Sequence, residues 1–374
     1  MGSGIDVGIW EISKRLAKEH KVTIFTFDSE YKEDFGVEIK EIPIPLKNNR
    51  IVTGLFSPLF LHKVLDIRRY IKEYDVIITE IFPASIIPLY PTKIKCKLNI
   101  VVEWSTPVET YTKFTQKLYH TFLKKMNGYA VKNADVVIAS SSFIKSWIKN
   151  EYGVVSEKLL IDGINFELFD KEKYFARKQE HLSYIYSKYP SLEGSSVILY
   201  VGGIRPHKNI DILIKSFRIV KKSIPSAKLL IIGRKSFMDY FRYVDDMVNA
   251  FNLRDSIIFA DVVSWEDLPK YYLACDVYAT CSAWEGFLRA EAYAMEKPMV
   301  AFDTTSHAET IQHEKTGLLV KEQTPEAFAS ALITLLNDNE LRKRMGKEGY
   351  KWSKETLDFD VIAKNFMDFI KENV

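Results

Sequence analysis

The sequence predicts an α/β protein made of two domains, each built on a parallel β-sheet. Short apolar runs alternate with amphipathic stretches along the whole chain, which is typical of strands that are joined by helices. The chain has 374 residues, and single hydrophobic cores rarely grow beyond about 250–300 residues. Its 47% hydrophobic and 27% charged residues are those of an ordinary globular protein. The net charge of +3 gives no reason to expect a nucleic-acid partner.

In the first half, apolar runs predict strands and amphipathic stretches predict helices. The strands are expected at Val22–Phe27, Val76–Glu80, Leu98–Glu103 and Val136–Ala139. The helices are expected at Val7–Glu19, Leu59–Lys72, Thr112–Lys132 and Ser142–Tyr152. A glycine turn at 162–165 then leads into a charged, tyrosine-rich stretch that ends at Lys188, and we place the domain junction at this turn.

The second half repeats the same alternation. Its strands are expected at Val197–Val201, Lys228–Ile232, Ser256–Phe259, Asp276–Thr280, Pro298–Phe302 and Leu318–Val320. Its helices are expected at Ile210–Lys222, Phe237–Phe251, Trp265–Ala274, Glu291–Met295 and Pro325–Asn337. The predicted domains are therefore 1–165 and 166–355. A last amphipathic helix, Val361–Lys371 within the segment 356–374, is expected to cross back to the first domain.

The chain begins at a glycine loop, where a domain of this type should first have a strand. The loop at 2–4 runs directly into a helix whose inward face carries Ile9, Ile12 and Leu16. A parallel sheet without its first strand would leave neighbouring strands unpaired. We therefore expect that about ten to fifteen residues are missing from this end, judged from ordinary strand and loop lengths.

The cysteines and the apolar runs bear on the compartment. Cys96, Cys275 and Cys281 show no paired spacing, and two of them lie in or beside apolar strands. Buried thiols are the expected state, which predicts a cytoplasmic protein rather than a disulfide framework. No run of about 20 apolar residues occurs, so no membrane-spanning helix is predicted.

A glycine-rich basic loop follows the first strand of the second half. Gly202 and Gly203 allow the backbone to approach a ligand closely. Arg205 and Lys208 then place two cations at the end of a strand and before a helix. Ligands of open α/β sheets bind at the carboxyl ends of strands, and a guanidinium with an ammonium suits a diphosphate. His207 between them is interpreted as a surface residue.

A second motif, at 284–294, places two acids around a glycine turn. Glu285 precedes Gly286 and Phe287, and Glu291 begins a predicted helix. Backbone N–H groups at such a turn favour a phosphate. The acid on the helix could then accept hydrogen bonds from a ribose, and Glu285 would face whatever lies beyond the phosphates. This is the outline of a nucleotide-sugar site, while an acidic first helical turn alone would be explained by helix stability.

Taken in order, four stretches resemble the retaining glycosyltransferases of family 4, also described as glycosyl transferases group 1, which have the GT-B fold. The resemblance covers about 160–350. Val201–Lys208 is similar to the family's diphosphate-binding loop, and Glu285–Phe287 with Glu291–Pro298 is similar to its two-glutamate motif. Glu309–Val320 is similar to the segment that closes the family's donor domain. Asp162–Asn165 is similar to the turn between its two domains.

The resemblance implies two Rossmann-like domains facing a cleft, with the donor on the second domain and the acceptor on the first. It implies transfer of a sugar from a UDP- or GDP-sugar with retention of anomeric configuration. Arg205, Lys208 and Glu285 would be catalytic. The implied donor-binding residues are Gly4, Gly202, Gly203, Gly286, Phe287 and Glu291. Neither a metal nor another cofactor is implied, because the two cations would stabilise the departing diphosphate. Asp358-Phe359-Asp360 is interpreted as a helix cap rather than a metal motif.

The sequence departs from the family pattern at the two glutamates. Five residues separate Glu285 from Glu291 here, whereas seven separate them in the family. Two residues correspond to about 200° of helix rotation, so Glu291 is turned away if the helix begins at the same place. The alternative is a tighter turn with a shifted helix entry. Gly203 stands where many members have an arginine, and Trp104 stands near the position of a family histidine.

Three functional hypotheses follow from this pattern. The first is a glycosyltransferase. The second is a protein that binds a nucleotide sugar and is impaired in catalysis by the shortened motif. The third is another enzyme of the same fold, such as an epimerase or a phosphorylase.

The acceptor is left open between a glycan, a lipid-linked molecule and a small molecule. The apolar stretch 51–61 and the lysines of the predicted helix at 112–132 suggest peripheral contact with an anionic membrane. The lysines concerned are Lys113, Lys117, Lys124, Lys125 and Lys132. A buried core segment beside a solvated helix face would explain the same residues.

Overall fold

The structure, a computed structural model, describes residues 4–26, 35–41, 67–80, 84–89, 92–103, 114–235 and 237–374. The chain divides into two compact units. One comprises 163–361, and the other comprises 2–162 together with 362–374. The predicted α/β class is confirmed, because every ladder of named strands is parallel and helices connect the strands.

The described strands of the unit that holds 2–162 form two sheets. The strands are β1 (Val22–Thr26), β2 (Val37–Glu41), β3 (Val76–Thr79), β4 (Leu98–Glu103), β5 (Val136–Ala139) and β6 (Glu157–Lys158). β1 pairs with β2, and the other sheet has the order β3-β4-β5-β6. Tyr74, just before β3, contacts the other sheet by donating from its hydroxyl to Thr23 Oγ1 in β1 at 2.7 Å.

Before position 163, the described helices include Gly4–Leu16, Phe114–Asn133 and Ser142–Tyr152. Residues 67–71 are also helical, and the rest of the helix expected at Leu59–Lys72 lies outside the described residues, as do 1–3 and the apolar stretch 51–61. The absence of a strand before Gly4 therefore stays a prediction. In the described part of the chain, no helix is both long and apolar enough to cross a bilayer.

The second unit is built on one six-stranded parallel sheet with the order β12-β11-β10-β7-β8-β9. Its strands are β7 (Val197–Val201), β8 (Lys228–Ile232), β9 (Ile257–Ala260), β10 (Val277–Thr280), β11 (Met299–Phe302) and β12 (Gly317–Val320). They are apolar and largely buried, as expected of strands that helices cover on both faces. Each predicted strand of the second half is found within two residues of its expected bounds.

The helices from 163 onward follow the sequence pattern with some exceptions. Their bounds are Lys171–Ala176, Lys178–Lys188, Ile210–Ser223, Met238–Ala250, Leu268–Ala274, Glu291–Ala294, His307–Thr310, Pro325–Asn337, Asn339–Thr356 and Phe359–Asn373. Side-chain caps explain several starts: Thr324 Oγ1 accepts from Ala327 N at 3.2 Å, and Asp338 Oδ1 accepts from Leu341 N at 2.8 Å.

The helix Asn339–Thr356 was not predicted, and its packing explains why. It is rich in charge, and its buried positions are Met345, Gly346, Gly349 and Ser353 rather than an apolar stripe. A Cβ atom at Gly346 would lie 1.9 Å from the carbonyl oxygen of Glu296. The helix thus packs through close backbone approach, which hydrophobic periodicity does not reveal.

Candidate functional site

The loop after β7 is held against the end of β8. Gly202 N donates to Ile232 O at 2.9 Å, and Ile204 N donates to Arg234 O at 3.0 Å. A Cβ atom at Gly202 would lie 2.7 Å from the Tyr200 hydroxyl. These contacts leave no room for a side chain at Gly202, and they place 203–208 at the carboxyl edge of the sheet, as predicted for a ligand site.

A tight turn then presents the predicted cations. Pro206–Lys208 forms one 3₁₀ turn, and Asn209 adopts a left-handed conformation with φ of 50° before the helix Ile210–Ser223 begins. The Asn209 side chain donates to Cys281 O at 3.1 Å. Arg205 is exposed. The asparagine thus ties the basic loop to the segment that follows β10.

The segment after β10 packs directly on this basic loop, because β7 and β10 are neighbours in the sheet. Ala283 N donates to His207 O at 2.8 Å. The Ser282 hydroxyl donates to Trp284 O at 2.9 Å and lies 3.3 Å from His207 O. His207, interpreted from sequence as a surface residue, is half-buried and holds this segment through its carbonyl group.

Lys208 and Glu285 form an ion pair at this junction. They are 77 positions apart in sequence, and each side chain is only 18% exposed. Burial acts to raise the pKa of the Glu285 carboxyl, but the ammonium of Lys208 outweighs it and holds that pKa below its usual range. Glu285 is therefore ionised at neutral pH. Burial, followed by the charge of Lys208, lowers the pKa of His207 to about 4, so its imidazole is neutral.

The second predicted acid does not join this pair. Glu291 is 3% exposed and forms an ion pair with Arg289, whose guanidinium lies 4.9 Å from the centre of the Trp265 ring. The helix begins only at Glu291 and ends at Ala294. Glu291 is thus the first residue of this short helix and lies in the interior, where it pairs with Arg289 rather than with Lys208.

The other predicted donor-binding residues lie in different surroundings. Gly286 is half-buried and Phe287 is buried, in the turn that follows Glu285. A Cβ atom at Gly203 would lie 3.2 Å from Arg205 Nε. Gly4 is the first residue of the helix Gly4–Leu16 in the other unit, so the site described here is built from the second unit alone. Among the described residues, no cluster of three or more His, Cys, Asp or Glu side chains is arranged to hold a metal ion.

Several residues that shape the site were not predicted from the sequence. Asn209 and Ser282 connect its two segments, and Thr305 with Ser306 bonds to the backbone of Glu285. The only sequence signal for the last two was a run of hydroxyl residues, 304–306, one residue after a predicted strand. Such residues also occur in ordinary turns, so the run gave no prediction.

Two family models match the chain. The model described as Glycosyl transferases group 1 matches residues 185–352, and the model described as Glycosyltransferase Family 4 matches residues 2–161. The first match contains Arg205, Lys208, Glu285 and Glu291. Together the two models cover most of the chain.

Two curated relatives agree with these matches. The chain is 28% identical over 243 residues to the putative glycosyltransferase YtcC of Bacillus subtilis, covering 62% of this chain and 59% of that protein. It is 23% identical over 352 residues to the alpha-monoglucosyldiacylglycerol synthase of Streptococcus pneumoniae, covering 90% of this chain and 77% of that protein. The match thus spans about three fifths of the length of YtcC.

The fold is also that of a solved structure. The crystal structure of Anabaena HepE in complex with UDP and glucose matches with a TM-score of 0.77, covering 99% of this chain and 96% of that chain at 16% identity. The predicted fold and family are therefore both confirmed. The chain belongs to the glycosyl transferases group 1 and has the GT-B fold.

Proposed function

We propose that this chain is a retaining glycosyltransferase that moves a hexosyl group from a UDP-sugar to an acceptor hydroxyl. The observation that carries the proposal is the largely buried Lys208–Glu285 pair beside the glycine loop of 202–205. A largely buried cation at the carboxyl edge of a parallel sheet is suited to an anionic leaving group. The UDP and glucose in the HepE structure make UDP-glucose the first donor to test, with GDP-sugars as the alternative.

In the proposed reaction, the bond between the anomeric carbon and the β-phosphate oxygen breaks, and its electron pair goes to the diphosphate. The acceptor oxygen bonds to the anomeric carbon from the same face, and its proton passes to the departing diphosphate. Lys208 and Arg205 stabilise the charge on that diphosphate, so we propose no role for a metal or another cofactor. Glu285 lies beside the transferred sugar, next to the amides of Gly286 and Phe287.

Glu291 has a different part in this proposal. The resemblance implies that Glu291 binds the ribose. For this contact, the Glu291 carboxylate must either leave Arg289 or bind the ribose and Arg289 at the same time. Because the Glu291 side chain is 4% exposed in its present position, we propose that Glu291 fixes Arg289 and the turn at 286–290, and that a ribose contact forms only when the donor displaces this pair.

A lipid-linked acceptor is favoured by one surface of the other unit. On the helix Phe114–Asn133, five exposed residues recur at helical spacing along one face: Leu118, Phe122, Lys125, Tyr129 and Lys132. Apolar and basic side chains on one helix face suit an anionic membrane surface. Lys124, by contrast, pairs with Glu151 at 2.7 Å. The name of the S. pneumoniae relative, alpha-monoglucosyldiacylglycerol synthase, supports an acceptor that carries a lipid.

The membrane proposal is tested by co-sedimentation of the protein with phosphatidylglycerol vesicles at low salt. We expect binding that is lost in a Leu118→Ser/Phe122→Ser variant and retained in Lys124→Ser. Equal binding to neutral phosphatidylcholine vesicles, or no binding to either kind of vesicle, would reject this surface.

We also propose that the protein is cytoplasmic, because Cys96, Cys275 and Cys281 all have free thiols and disulfides are rare in that reducing compartment.

A second candidate is a protein that grips a nucleotide sugar without turning it over. The burial of Glu291 with Arg289 favours it. Calorimetric titration with UDP, GDP and their sugar conjugates, followed by an assay of UDP release, separates the two. We expect saturable binding of UDP-glucose and release of UDP. Binding without release on any acceptor supports the second candidate, and a folded protein that binds no nucleotide contradicts both.

A further inference from the structure

Thr305 has a backbone conformation that is unfavourable for its residue type. It lies in the turn after β11 with φ of 46°, in the left-handed region that favours glycine. A β-branched side chain is strained there. Such strain persists only where the surrounding structure holds it in place, so the contacts of Thr305 become informative.

Those contacts are made with Glu285. Glu285 N donates to Thr305 Oγ1 at 3.3 Å, and the buried hydroxyl of Ser306 donates to Glu285 O at 3.1 Å. The preceding residue, Thr304, donates to Ser282 O at 3.3 Å. Three consecutive hydroxyl side chains thus bond to the segment 282–285. We refer to Thr304, Thr305 and Ser306 as the hydroxyl clamp.

The clamp acts on the residue that carries the ion pair. Both backbone groups of Glu285 are bonded to the clamp, while its carboxylate meets Lys208, which comes from the loop after β7. β10 lies between β7 and β11 in the sheet. The segment after β10 is therefore held between the loop after β7 on one side and the clamp after β11 on the other.

We propose that the hydroxyl clamp positions Glu285 for sugar transfer, and that Thr305 retains its strained backbone because its hydroxyl is needed for this task. The inference rests on the proposed function. When a diphosphate draws the ammonium of Lys208 away, the clamp keeps Glu285 from following it. Thr305 and Ser306 are positioning residues, since they act through Glu285.

The clamp can be distinguished from a merely structural turn, because the two accounts predict different effects of glycine. Thr305→Gly removes the hydroxyl and also relieves the backbone strain. A structural turn would lose nothing by this change. We expect instead that kcat for UDP release from UDP-glucose falls by about tenfold to a hundredfold, while Tm is unchanged or higher. KM for the donor should change less than about threefold.

Two further variants complete the experiment. Thr305→Ser keeps the hydroxyl and should stay within about threefold of the parent kcat, since it can accept the same hydrogen bond. Thr334→Ala is the matched control. It removes a hydroxyl that donates to Ser330 O at 3.0 Å within the helix Pro325–Asn337, and it should not alter kcat. Parental kcat in Thr305→Gly, or a Thr305→Ser variant as slow as Thr305→Gly, overturns the inference.

A crystal structure of the Thr305→Gly variant tests the positioning of Glu285 without an activity assay. We expect the segment 282–285, and with it Glu285, to shift from its position in the parent protein. An unshifted segment overturns the inference even if the parent protein proves active. A parent protein that releases no UDP, together with a shifted segment in the variant, would count against the proposed function and leave the positioning of Glu285 by the clamp supported.

Discussion

Replacing Lys208 with alanine is expected to lower kcat for sugar transfer by about 10²–10³-fold, the usual loss when one preorganised charge-stabilising group is removed. The fold largely buries the Lys208 side chain, which is 18% exposed and forms an ion pair with Glu285. No other side chain in the turn Pro206–Lys208 can supply its positive charge, since His207 has a pKa of about 4. Transfer is measured as UDP release from UDP-glucose.

The same variant leaves the Glu285 carboxylate without its cation. Its pKa should rise, because burial already acts in that direction. We expect a stability loss of about 1–3 kcal/mol for the uncompensated group, with the fold retained. The double variant Lys208→Ala/Glu285→Gln should recover this stability without recovering activity.

Lys215→Ala is the matched control for Lys208→Ala. Lys215 lies on the next helix and pairs with Asp211 at 3.1 Å, with 38% of its side chain exposed. Exposed pairs of this kind contribute about 0–1 kcal/mol, and activity should be unaffected. Parental activity in Lys208→Ala, or an equal loss in Lys215→Ala, would show that the catalytic assignment of Lys208 is wrong.

Replacing Gly233 with alanine is expected to destabilise the second unit by about 2–5 kcal/mol, from backbone strain and overpacking together. Gly233 follows β8 with φ of +152°, and a Cβ atom there would lie 2.0 Å from Gly202 O. The atom that it meets is backbone, so no side-chain rotation relieves the overlap. The loop of 202–205 must therefore move, and activity should fall as well.

The control for this variant is Gly194→Ala. Gly194 is also left-handed, with φ of +68°, but no atom lies within 4 Å of an added Cβ. It should cost only the backbone term, about 1 kcal/mol. Denaturant unfolding monitored by circular dichroism measures both. If both variants lose a similar amount of unfolding free energy, the close contact between the ends of β7 and β8 does not explain why glycine is needed at 233.

Most strands were predictable because burial on both faces produces a continuous apolar run in the sequence. β2, Val37–Glu41, escaped prediction because it has only two apolar residues, Val37 and Ile39, and no continuous apolar run. The helix Asn339–Thr356 escaped because glycines form its contact surface. In both cases the structure depends on the neighbouring element that the segment packs against, rather than on the sequence of the segment itself.

The site was predictable in its parts but not in its assembly. The basic loop and Glu285 each followed a recognisable strand. Their contact depends on β7 and β10 being neighbours, which is a property of the strand order and not of either segment. The burial of Glu291 depends on where a four-residue helix begins, and the spacing of the two acids allowed more than one start.

The most direct test of the account is a crystal structure of the parent protein with UDP bound. We expect the diphosphate to contact Arg205 and Lys208 at the carboxyl edge of the six-stranded sheet, with Glu285 still bonded to Thr305 and Ser306. UDP bound elsewhere in the second unit, or bound with Lys208 still paired to Glu285 and remote from the phosphates, would contradict the proposed site.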